Sequence, residues 1–338
     1  MANCHSRISR LAHRAFEEVR ASVAIGSKTT MSEGFNAFRA KLDLQKMNRN
    51  GYYESPSVTN HLMRKHESVI KYLEARFGDF YQAYDYDEFL PPVPEDMANK
   101  IWMCWWQGEE NAPALVRACI ESVRRNAYGR EVIVFTDDNL HDYVDMPAWL
   151  EDKVGQGIVT RTNLSDFLRL SLLSRYGGLW LDATFYCSGE LSGPVYEAPM
   201  FTVKRPDYAH GSIACGMFAG YSLGCDSNSR RLFAVARDYY LEYWKRSSFM
   251  VDYLLIDYLI ILAQRHCPEA NGALEAVVPN NPQCDELIKV LGDPFDAGEW
   301  ERLKKDTQLF KLTWKQEYPT EIAGHKTYLA MLLDGDLK

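Results

Sequence analysis

The spacing of apolar residues near the start of the chain predicts a helix. Apolar side chains recur every three or four positions, which is the period of an α-helix with one apolar face. The stripe consists of Ile8, Leu11, Ala12, Ala15, Phe16, Val19 and Val23, and Arg7, Arg10, Arg14 and Arg20 fall largely outside it. Such a helix either packs on the rest of the protein or lies in a membrane interface, and we favour packing on the protein.

A second pattern of helical period follows and ends at a proline-rich segment. Its apolar positions are Val58, Leu62, Val69, Ile70, Leu73 and Phe77. Residues 90–94 contain three prolines, which break a helix and are typical of a linker. We therefore predict a helical N-terminal extension and linker over residues 1–95, and a second domain over residues 96–338.

Beyond residue 95 the pattern changes to short apolar runs that alternate with amphipathic segments. We predict buried strands at 101–106, 131–135 and 179–185, and helices at 113–126, 147–154 and 164–176. Later segments predict a strand pair near 200–204 and 213–219, followed by helices at 228–245 and 251–264. This alternation is typical of an α/β fold with a mostly parallel central sheet covered by helices.

Charge narrows the class of partner. The 338-residue chain has a formal net charge of −8, which argues against nucleic acid as the main partner. The charge is uneven, because residues 1–50 contain nine Lys/Arg and only four Asp/Glu. A basic first segment on an acidic body is suited to peripheral contact with an anionic membrane surface. No run of about 18 apolar residues occurs, so we predict no transmembrane helix.

The cysteines indicate a reducing environment. Eight cysteines are spread along the chain without CxxC pairs and without a Cys/His spacing typical of zinc sites. Several lie in apolar runs, as buried free thiols do. Together with the lack of an apolar leader segment, this pattern predicts a cytoplasmic location.

The residues with chemical potential are concentrated where the third predicted helix turns into the third predicted strand. Asp166 and Arg169 are three positions apart near the start of that helix, so their side chains share a face. Gly177 and Gly178 end the helix and turn the chain into the strand. The strand carries Asp182 to its carboxyl end, where open α/β sheets bind ligands. Two carboxylates and one guanidinium are therefore predicted to face one another.

This combination suits the transfer of a sugar from a nucleotide donor. The leaving group is a nucleoside diphosphate, whose negative charge a carboxylate-bound divalent cation can neutralise. A second carboxylate can hold ribose hydroxyls, and the planar fork of an arginine can hold phosphate or sugar oxygens. A structural interpretation stands beside this one, because Asp166 can simply cap its helix and pair with Arg169.

Residues 165–184 contain a spaced pattern, which is SDxLR followed after six residues by YGGxWxDxT. This pattern resembles that of the capsular polysaccharide synthesis proteins. These are relatives of the DxD-type glycosyltransferases with a GT-A fold. Further similar segments are 101–108, 111–113, 252–258 and 311–315, so the resemblance covers roughly residues 95–330. It implies a GT-A-like domain that uses a nucleotide-sugar, with UDP-sugars favoured, and a glycan or lipid-linked acceptor in bacterial surface polysaccharide synthesis.

The resemblance also implies roles for residues that bind the donor. Trp102, in the first strand, would lie near the nucleotide base. Asp166 would contact the ribose or the sugar, and Arg169 would contact the sugar or the phosphates. The other expected donor-binding residues are Gly177, Gly178 and Lys315.

The expected catalytic and metal-binding residues follow from the same resemblance. Asp182 matches the first acidic residue of DxD, whereas Thr184 stands where the second carboxylate is usual. The implied cofactor is Mn²⁺ or Mg²⁺, held by Asp182, Thr184 and His325. Asp257, or alternatively Asp252, is expected to point into the acceptor cleft as a base or an orienting group.

Two other functions stay open from the sequence. The neutral hydroxyl of Thr184 favours a non-catalytic nucleotide- or glycan-binding subunit of the polysaccharide machinery. A phosphotransferase that moves a sugar phosphate with related carboxylates is the third interpretation. The nucleotide product distinguishes the three: a diphosphate indicates sugar transfer, a monophosphate indicates phosphotransfer, and no turnover indicates a binding subunit.

Overall fold

Three long helices come first in the computed structural model, which describes residues 16–49, 51, 53–205 and 208–337. They are α1 over residues 16–28, α2 (Met31–Arg49) and α3 (Pro56–Ala83). The Ser55 side chain caps α3 by accepting a hydrogen bond from the backbone N–H of Val58. Pro56 fits the first turn because its missing N–H would have no partner there. The second predicted helix is thereby confirmed.

Helix α1 buries a different face from the one predicted. Ala21 and Ile25 are fully buried, whereas Phe16, Val19 and Val23 are exposed. The helix packs on the protein as favoured, because Ile25 lies in the core, but the expectation that Phe16, Val19 and Val23 form its buried face was wrong. The stripe positions before residue 16, and the arginines among them, lie outside the described residues.

Small residues explain which face of α1 is buried. A Cβ atom built on Gly34 of α2 would lie 2.5 Å from the carbonyl oxygen of Ser22 in α1 and 3.1 Å from backbone atoms of Gly26. The two backbones therefore approach so closely that only glycine fits at position 34. This close contact holds the face of α1 that carries Ser22 and Gly26 against α2, so Phe16, Val19 and Val23 remain outside.

Strands and helices alternate in the rest of the chain, as predicted. The helices are α4 (Ala114–Arg125), α5 (Ala148–Gly155), α6 (Arg161–Tyr176), α7 (Arg231–Arg246), α8 (Leu255–His266), α9 (Leu287–Val290), α10 (Ala297–Lys304) and α11 (Tyr328–Leu333). The strands are β1 (Ile101–Cys104), β2 (Val132–Phe135), β3 (Gly178–Leu181), β4 (Phe185–Cys187), β5 (Met200–Thr202), β6 (Ser222–Cys225), β7 (Leu309–Lys311), β8 (Glu321–Ile322) and β9 (His325–Lys326).

Five strands form the central sheet in the order β2-β1-β3-β6-β5. Strand β1 is parallel to both β2 and β3, and Ile101 lies opposite Val132 on one side and Leu179 on the other. Strand β6 is antiparallel to its neighbours β3 and β5, so four of the five strands point the same way. This confirms the mixed α/β fold with a mostly parallel central sheet and N-terminal helices.

Two strand predictions differ from the structure. The predicted strand at 179–185 is interrupted, because the chain turns after Leu181 and the N–H of Phe185 donates to the carbonyl oxygen of Asp182 at 3.0 Å. Strand β4 then pairs with β7 in a separate two-stranded sheet. The predicted strand at 213–219 is a series of turns, with Gly216 at φ 77°, and β6 takes the place beside β5.

Alternation along β1 divides the core between the two faces of the sheet. Trp102 packs on one face among residues of α6, α7 and α8, and Ile101 and Met103 pack on the other face against α4. Val69 and Phe77 of α3 belong to the same cluster as Trp102. The N-terminal helices therefore share a core with the α/β region, and the division at residue 95 stays a prediction.

Two features bear on the environment of the protein. Within the described chain, no helix combines the length and the apolar character needed to cross a membrane. Seven cysteines fall in the described ranges and all seven are free thiols, whereas Cys4 lies outside those ranges.

Candidate active site

Asp166, Arg169 and Asp182 lie together where α6 meets the carboxyl end of β3. The guanidinium of Arg169 donates from Nη1 to Asp166 Oδ1 at 3.1 Å and from Nη2 to Asp182 Oδ1 at 3.2 Å. Asp166 and Arg169 are one turn apart on α6, and a reciprocal capping box between Thr160 and Asn163 fixes the start of this helix. The fold thus brings three residues selected from the sequence into one cluster.

The glycine pair between α6 and β3 has a backbone role. Gly177 and Gly178 have positive φ angles of 68° and 88°. A Cβ atom on Gly178 would lie 2.4 Å from the carbonyl oxygen of Lys100, so only glycine fits there. Both residues lie at the amino end of β3, whereas Asp182 follows its carboxyl end. We assign them to the turn that positions the strand and leave them out of the proposed donor site.

Two residues that were not selected from the sequence complete the cluster. Trp180 Nε1 donates to Asp182 Oδ1 at 3.1 Å, and the Trp180 ring lies 5.0 Å from the guanidinium of Arg169. Lys311 Nζ donates to Asp182 Oδ2 at 2.9 Å. The sequence contains a signal for Trp180, because a residue two positions before Asp182 on a strand faces the same side. Lys311 arrives from β7. It lies in the segment 311–315 that resembles the family, but nothing in that segment indicates a contact with Asp182.

Asp182 is the carboxylate of the cluster that a ligand can reach. Its side chain is 32% exposed, compared with 12% for Asp166 and 8% for Arg169. The buried pair of Asp166 and Arg169 forms the floor of the site, and Asp182 lies at its opening.

Asp257 adjoins this cluster from the first turn of α8. Its Oδ2 accepts a hydrogen bond from Ser212 Oγ at 2.6 Å, whereas its buried Oδ1 has no partner within the described chain. A Cβ atom built on Gly220 would lie 2.9 Å from Asp257 Oδ1 and 3.8 Å from Arg169 Nη1. The two groups therefore border the same small space beside Gly220. A buried polar atom without a partner often marks a place for a ligand or a water.

Asp252 has a structural role. It precedes α8, which begins at Leu255 and not near residue 251 as predicted. Its Oδ2 accepts from the buried ammonium of Lys65 at 3.1 Å, and its Oδ1 accepts from the N–H of Leu254. Because these contacts fix both oxygens inside the core, Asp257 is the better candidate for chemistry on α8.

The three acidic groups of the cluster differ in their ionisation. Burial raises the pKa of Asp166 to about 7, with Arg169 opposing the shift and Asp257 adding to it. Burial also raises the pKa of Asp257 to about 6, in spite of the hydrogen bond from Ser212. For Asp182, burial acts in the same direction, but Lys311 and Arg169 outweigh it and hold its pKa below the ordinary value. Near neutral pH Asp182 is therefore fully ionised and contacts two cations, Asp257 is largely ionised, and Asp166 is about half ionised.

Trp102 is fully buried, and its Nε1 donates to the carbonyl oxygen of Gly177 at 2.7 Å. A ring without exposed surface offers no face to a nucleotide base. We therefore leave Trp102 out of the proposed donor site, contrary to the expectation from the resemblance.

Other tryptophans follow strand β1, next to the cluster. Trp106 is half-buried, its Nε1 donates to Ser165 Oγ at 3.1 Å, and the guanidinium of Arg161 lies 4.9 Å from its ring. Trp105 packs edge-to-face on Trp314 at 5.6 Å, and Trp314 is 46% exposed. Because β1 is the parallel neighbour of β3, residues that follow β1 lie beside Asp182. These rings are better placed than Trp102 to stack on a base or a sugar.

The expected metal ligands do not form a cation site. Lys311 Nζ donates to Thr184 Oγ1 at 2.7 Å as well as to Asp182, so an ammonium already lies between the two oxygens. His325 is exposed on the β8–β9 hairpin. No group of three or more His, Cys, Asp or Glu side chains in the described ranges is arranged to hold a metal ion. The residues present do not fit a divalent cation held by Asp182 and Thr184.

Lys315 is exposed and follows β7 by four positions. Its N–H donates to Thr313 Oγ1 at 3.3 Å, which tightens the turn after the strand. A role of its ammonium in donor binding stays a prediction.

The fold and the cluster define an α/β protein with a candidate ligand site at the carboxyl end of its central strands. A model of the family described as capsular polysaccharide synthesis protein matches residues 49–332, and the chain belongs to this family. The resemblance seen in the sequence is thereby confirmed.

Comparisons with individual proteins add little. No curated protein matches the chain. A solved structure described as the WbbM bifunctional glycosyltransferase in its apo form is similar, with 11% identity, a TM-score of 0.38, and coverage of 95% of this chain and 70% of that one. A TM-score this low carries no argument about fold or function.

Proposed function

We propose that this chain is a glycosyltransferase that moves a sugar from a nucleotide-sugar, with UDP-sugars favoured, to a glycan or lipid-linked acceptor. The observation that carries the proposal is the partly open cluster of Asp166, Arg169, Asp182 and Lys311. Its two cations, the guanidinium of Arg169 and the ammonium of Lys311, both contact Asp182 and can both donate hydrogen bonds to phosphate oxygens, which suits a diphosphate. Membership of the capsular polysaccharide synthesis family supports the choice of a sugar as the transferred group.

Each group has a place in the reaction. The fork of Arg169 holds phosphate or sugar oxygens, and Asp166 below it accepts from sugar or ribose hydroxyls. Asp182 holds Arg169 in position. The bond between the anomeric carbon and the β-phosphate oxygen breaks, and its electrons stay on the departing diphosphate. The acceptor hydroxyl forms the new bond to the anomeric carbon, and its proton passes to Asp257, whose unpartnered Oδ1 and pKa of about 6 suit a general base.

Helix α1 supports a further proposal about location. Phe16, Val19 and Val23 are exposed together on α1, next to the basic start of the chain. We propose that this face contacts an anionic membrane surface, where a lipid-linked acceptor would be held. Val23→Glu should weaken co-flotation with phosphatidylglycerol vesicles and leave donor turnover unchanged. Equal flotation of wild type and variant would contradict this contact.

A donor screen tests the proposed activity. The protein is incubated with UDP-, GDP-, ADP- and dTDP-sugars, and the released nucleotide is identified by chromatography while thermal stabilisation is recorded. We expect one class of donor to stabilise the protein and to release its nucleoside diphosphate. The comparison protein is Arg169→Ala, which should lose both responses.

Other outcomes would contradict the proposal. Release of a nucleoside monophosphate from a UDP-sugar would indicate phosphotransfer. Stabilisation by a nucleotide or a glycan without turnover of any donor would indicate a non-catalytic binding subunit.

A further inference from the structure

The backbone of Lys311 is held in place on both sides. Strand β7 pairs antiparallel with β4, and Lys311 lies opposite Phe185. The N–H of Lys311 donates to the carbonyl oxygen of Cys284 at 2.8 Å, and the N–H of the next residue, Leu312, donates to the carbonyl oxygen of Thr184 at 2.9 Å. The register between these strands therefore fixes Lys311 beside the Asp182–Thr184 turn.

The ammonium of Lys311 has a preformed binding place of its own. It donates to Asp182 Oδ2 at 2.9 Å and to Thr184 Oγ1 at 2.7 Å. It also lies 5.4 Å from the ring centres of Phe185 and Tyr221, whose electron-rich faces attract a cation. The side chain is 22% exposed, so one side of the ammonium remains open to a ligand.

This place corresponds to the one that a divalent cation would take. A metal bound by the Asp-x-Thr turn would bridge the carboxylate of Asp182 and the hydroxyl of Thr184, and those are the two oxygens that Lys311 bridges. A second cation on the same oxygens would meet the ammonium within contact distance and be repelled. The other oxygen of Asp182 is also in use, because Arg169 and Trp180 both donate to it.

We propose that the Lys311 ammonium takes the part of the divalent cation, so that the protein binds and releases a nucleoside diphosphate without metal. This inference rests on the proposed function and deepens it. The Mn²⁺ or Mg²⁺ expected from the sequence is the rival prediction, and one experiment separates the two.

A lysine in this position can stabilise the departing diphosphate. As the bond from the anomeric carbon to the β-phosphate oxygen breaks, the electron pair remains on that oxygen and the charge of the diphosphate grows. The ammonium keeps its proton and donates a hydrogen bond to the phosphate, while Asp182 and Thr184 hold it in place. A fixed cation that stabilises the leaving group is the part that a metal plays in other enzymes.

The test measures binding of UDP, GDP, ADP and dTDP by calorimetry in excess EDTA and in excess Mn²⁺, and turnover of the active donor in the same two buffers. For wild type we expect the affinity for the preferred diphosphate and the turnover to agree within a factor of about 3 between buffers, far less than the tenfold that 1.4 kcal/mol represents. Loss of diphosphate binding or of turnover in EDTA, with recovery in Mn²⁺, would overturn the inference while leaving the proposed function intact.

Variants then locate the cation. Lys311→Met should weaken binding of the diphosphate roughly tenfold or more, the scale of one charge-assisted hydrogen bond. It should change binding of the matching monophosphate much less, because the β-phosphate is then absent. Lys305→Met is the matched control, since Lys305 is exposed after α10 and should bind both nucleotides as wild type does.

Folding is checked separately from binding. If Lys311→Met does not fold, Lys311→Arg keeps the positive charge and should still bind the diphosphate in EDTA. A Lys311→Met protein that is folded and binds the diphosphate like wild type would overturn the inference. If wild type binds none of the four diphosphates in either buffer, the proposed function fails, and the inference fails with it.

Discussion

Replacing Asp182 with asparagine tests the centre of the site, because the change keeps the shape and removes the charge. Asp182 accepts from Arg169 and Trp180 on one oxygen and from Lys311 on the other. In the variant one of these oxygens becomes an amide NH₂, which points a donor at a cation. The cluster loses the carboxylate that holds its two cations together.

The expected cost in stability follows from these contacts. A hydrogen bond to a charged group contributes about 1.5–3 kcal/mol, and the variant loses one such bond outright and weakens another. Because Asp182 is 32% exposed, solvent screens part of this loss, and we expect the free energy of unfolding to fall by about 2–3 kcal/mol. That is less than the ~5–15 kcal/mol typical of a folded domain, so the variant should fold.

The expected cost in activity is larger. Misplacing preorganised cations typically lowers turnover by about 10²–10³ for each donor that is lost, and here Arg169 and Lys311 are both released. We expect donor turnover to fall by at least ~10³, measured as release of the nucleoside diphosphate alongside urea unfolding curves. The free energies of activation and of unfolding should therefore change by different amounts.

An exposed ion pair offers the matched control. Asp145 is 93% exposed and accepts a hydrogen bond from Arg175 at 2.9 Å. This ion pair has a donor–acceptor distance like those in the cluster, but it is exposed to solvent. Asp145→Asn should change the free energy of unfolding by less than about 0.5 kcal/mol and leave turnover unchanged. Turnover of Asp182→Asn equal to that of wild type would refute the assignment of the site.

Three further predictions concern the same cluster. Arg169→Ala leaves a buried carboxyl without its partner and should cost about 3–5 kcal/mol of stability, with a still larger loss of donor kcat/KM; equal losses would favour a purely structural role. Gly220→Ala places a Cβ atom 2.9 Å from Asp257 Oδ1, so it should lower turnover more than tenfold and lower the free energy of unfolding by about 1–3 kcal/mol. The control is Gly78→Ala in α3, whose added Cβ atom meets nothing within 4 Å and which should leave turnover unchanged. Because burial raises the pKa of Asp166 to about 7, protonation of this carboxyl stabilises the native state, and the contribution is complete below pH 3.8 and is lost as the pH rises through 7. Relative to Asp166→Asn, the unfolding free energy of wild type should fall by up to about 3 kcal/mol between pH 5 and 8, and a flat difference would contradict the shift.

Local signals in the sequence predicted the elements that depend on local structure. The periodicity of Val58 to Phe77 predicted α3, and the short apolar runs predicted β1 and β2, because burial of one face imposes its period on the residues. The Gly177-Gly178 pair marked the turn before β3, since few other residues accept positive φ. The strand predicted through residue 185 failed because the mostly apolar stretch at 179–185 does not reveal that the chain changes sheets after Leu181.

The same distinction applies to the candidate site. Asp166, Arg169 and Asp182 belong to one helix and the strand that follows it, so their approach could be predicted from spacing alone. The sequence could not decide the place of Trp102, because an aromatic residue in a strand motif looks the same whether its ring faces a ligand or the core. Its complete burial comes from the packing of α6, α7 and α8 on that face of the sheet.

The sequence by itself determined the family, the α/β alternation and the acidic and basic residues that face one another after α6. Only the tertiary structure decided which cation accompanies Asp182. Lys311 lies 129 positions away and reaches the carboxylate because β7 pairs with β4 in one register. Strand pairing between distant segments depends on the packing of the whole chain, and no local pattern of residues encodes it.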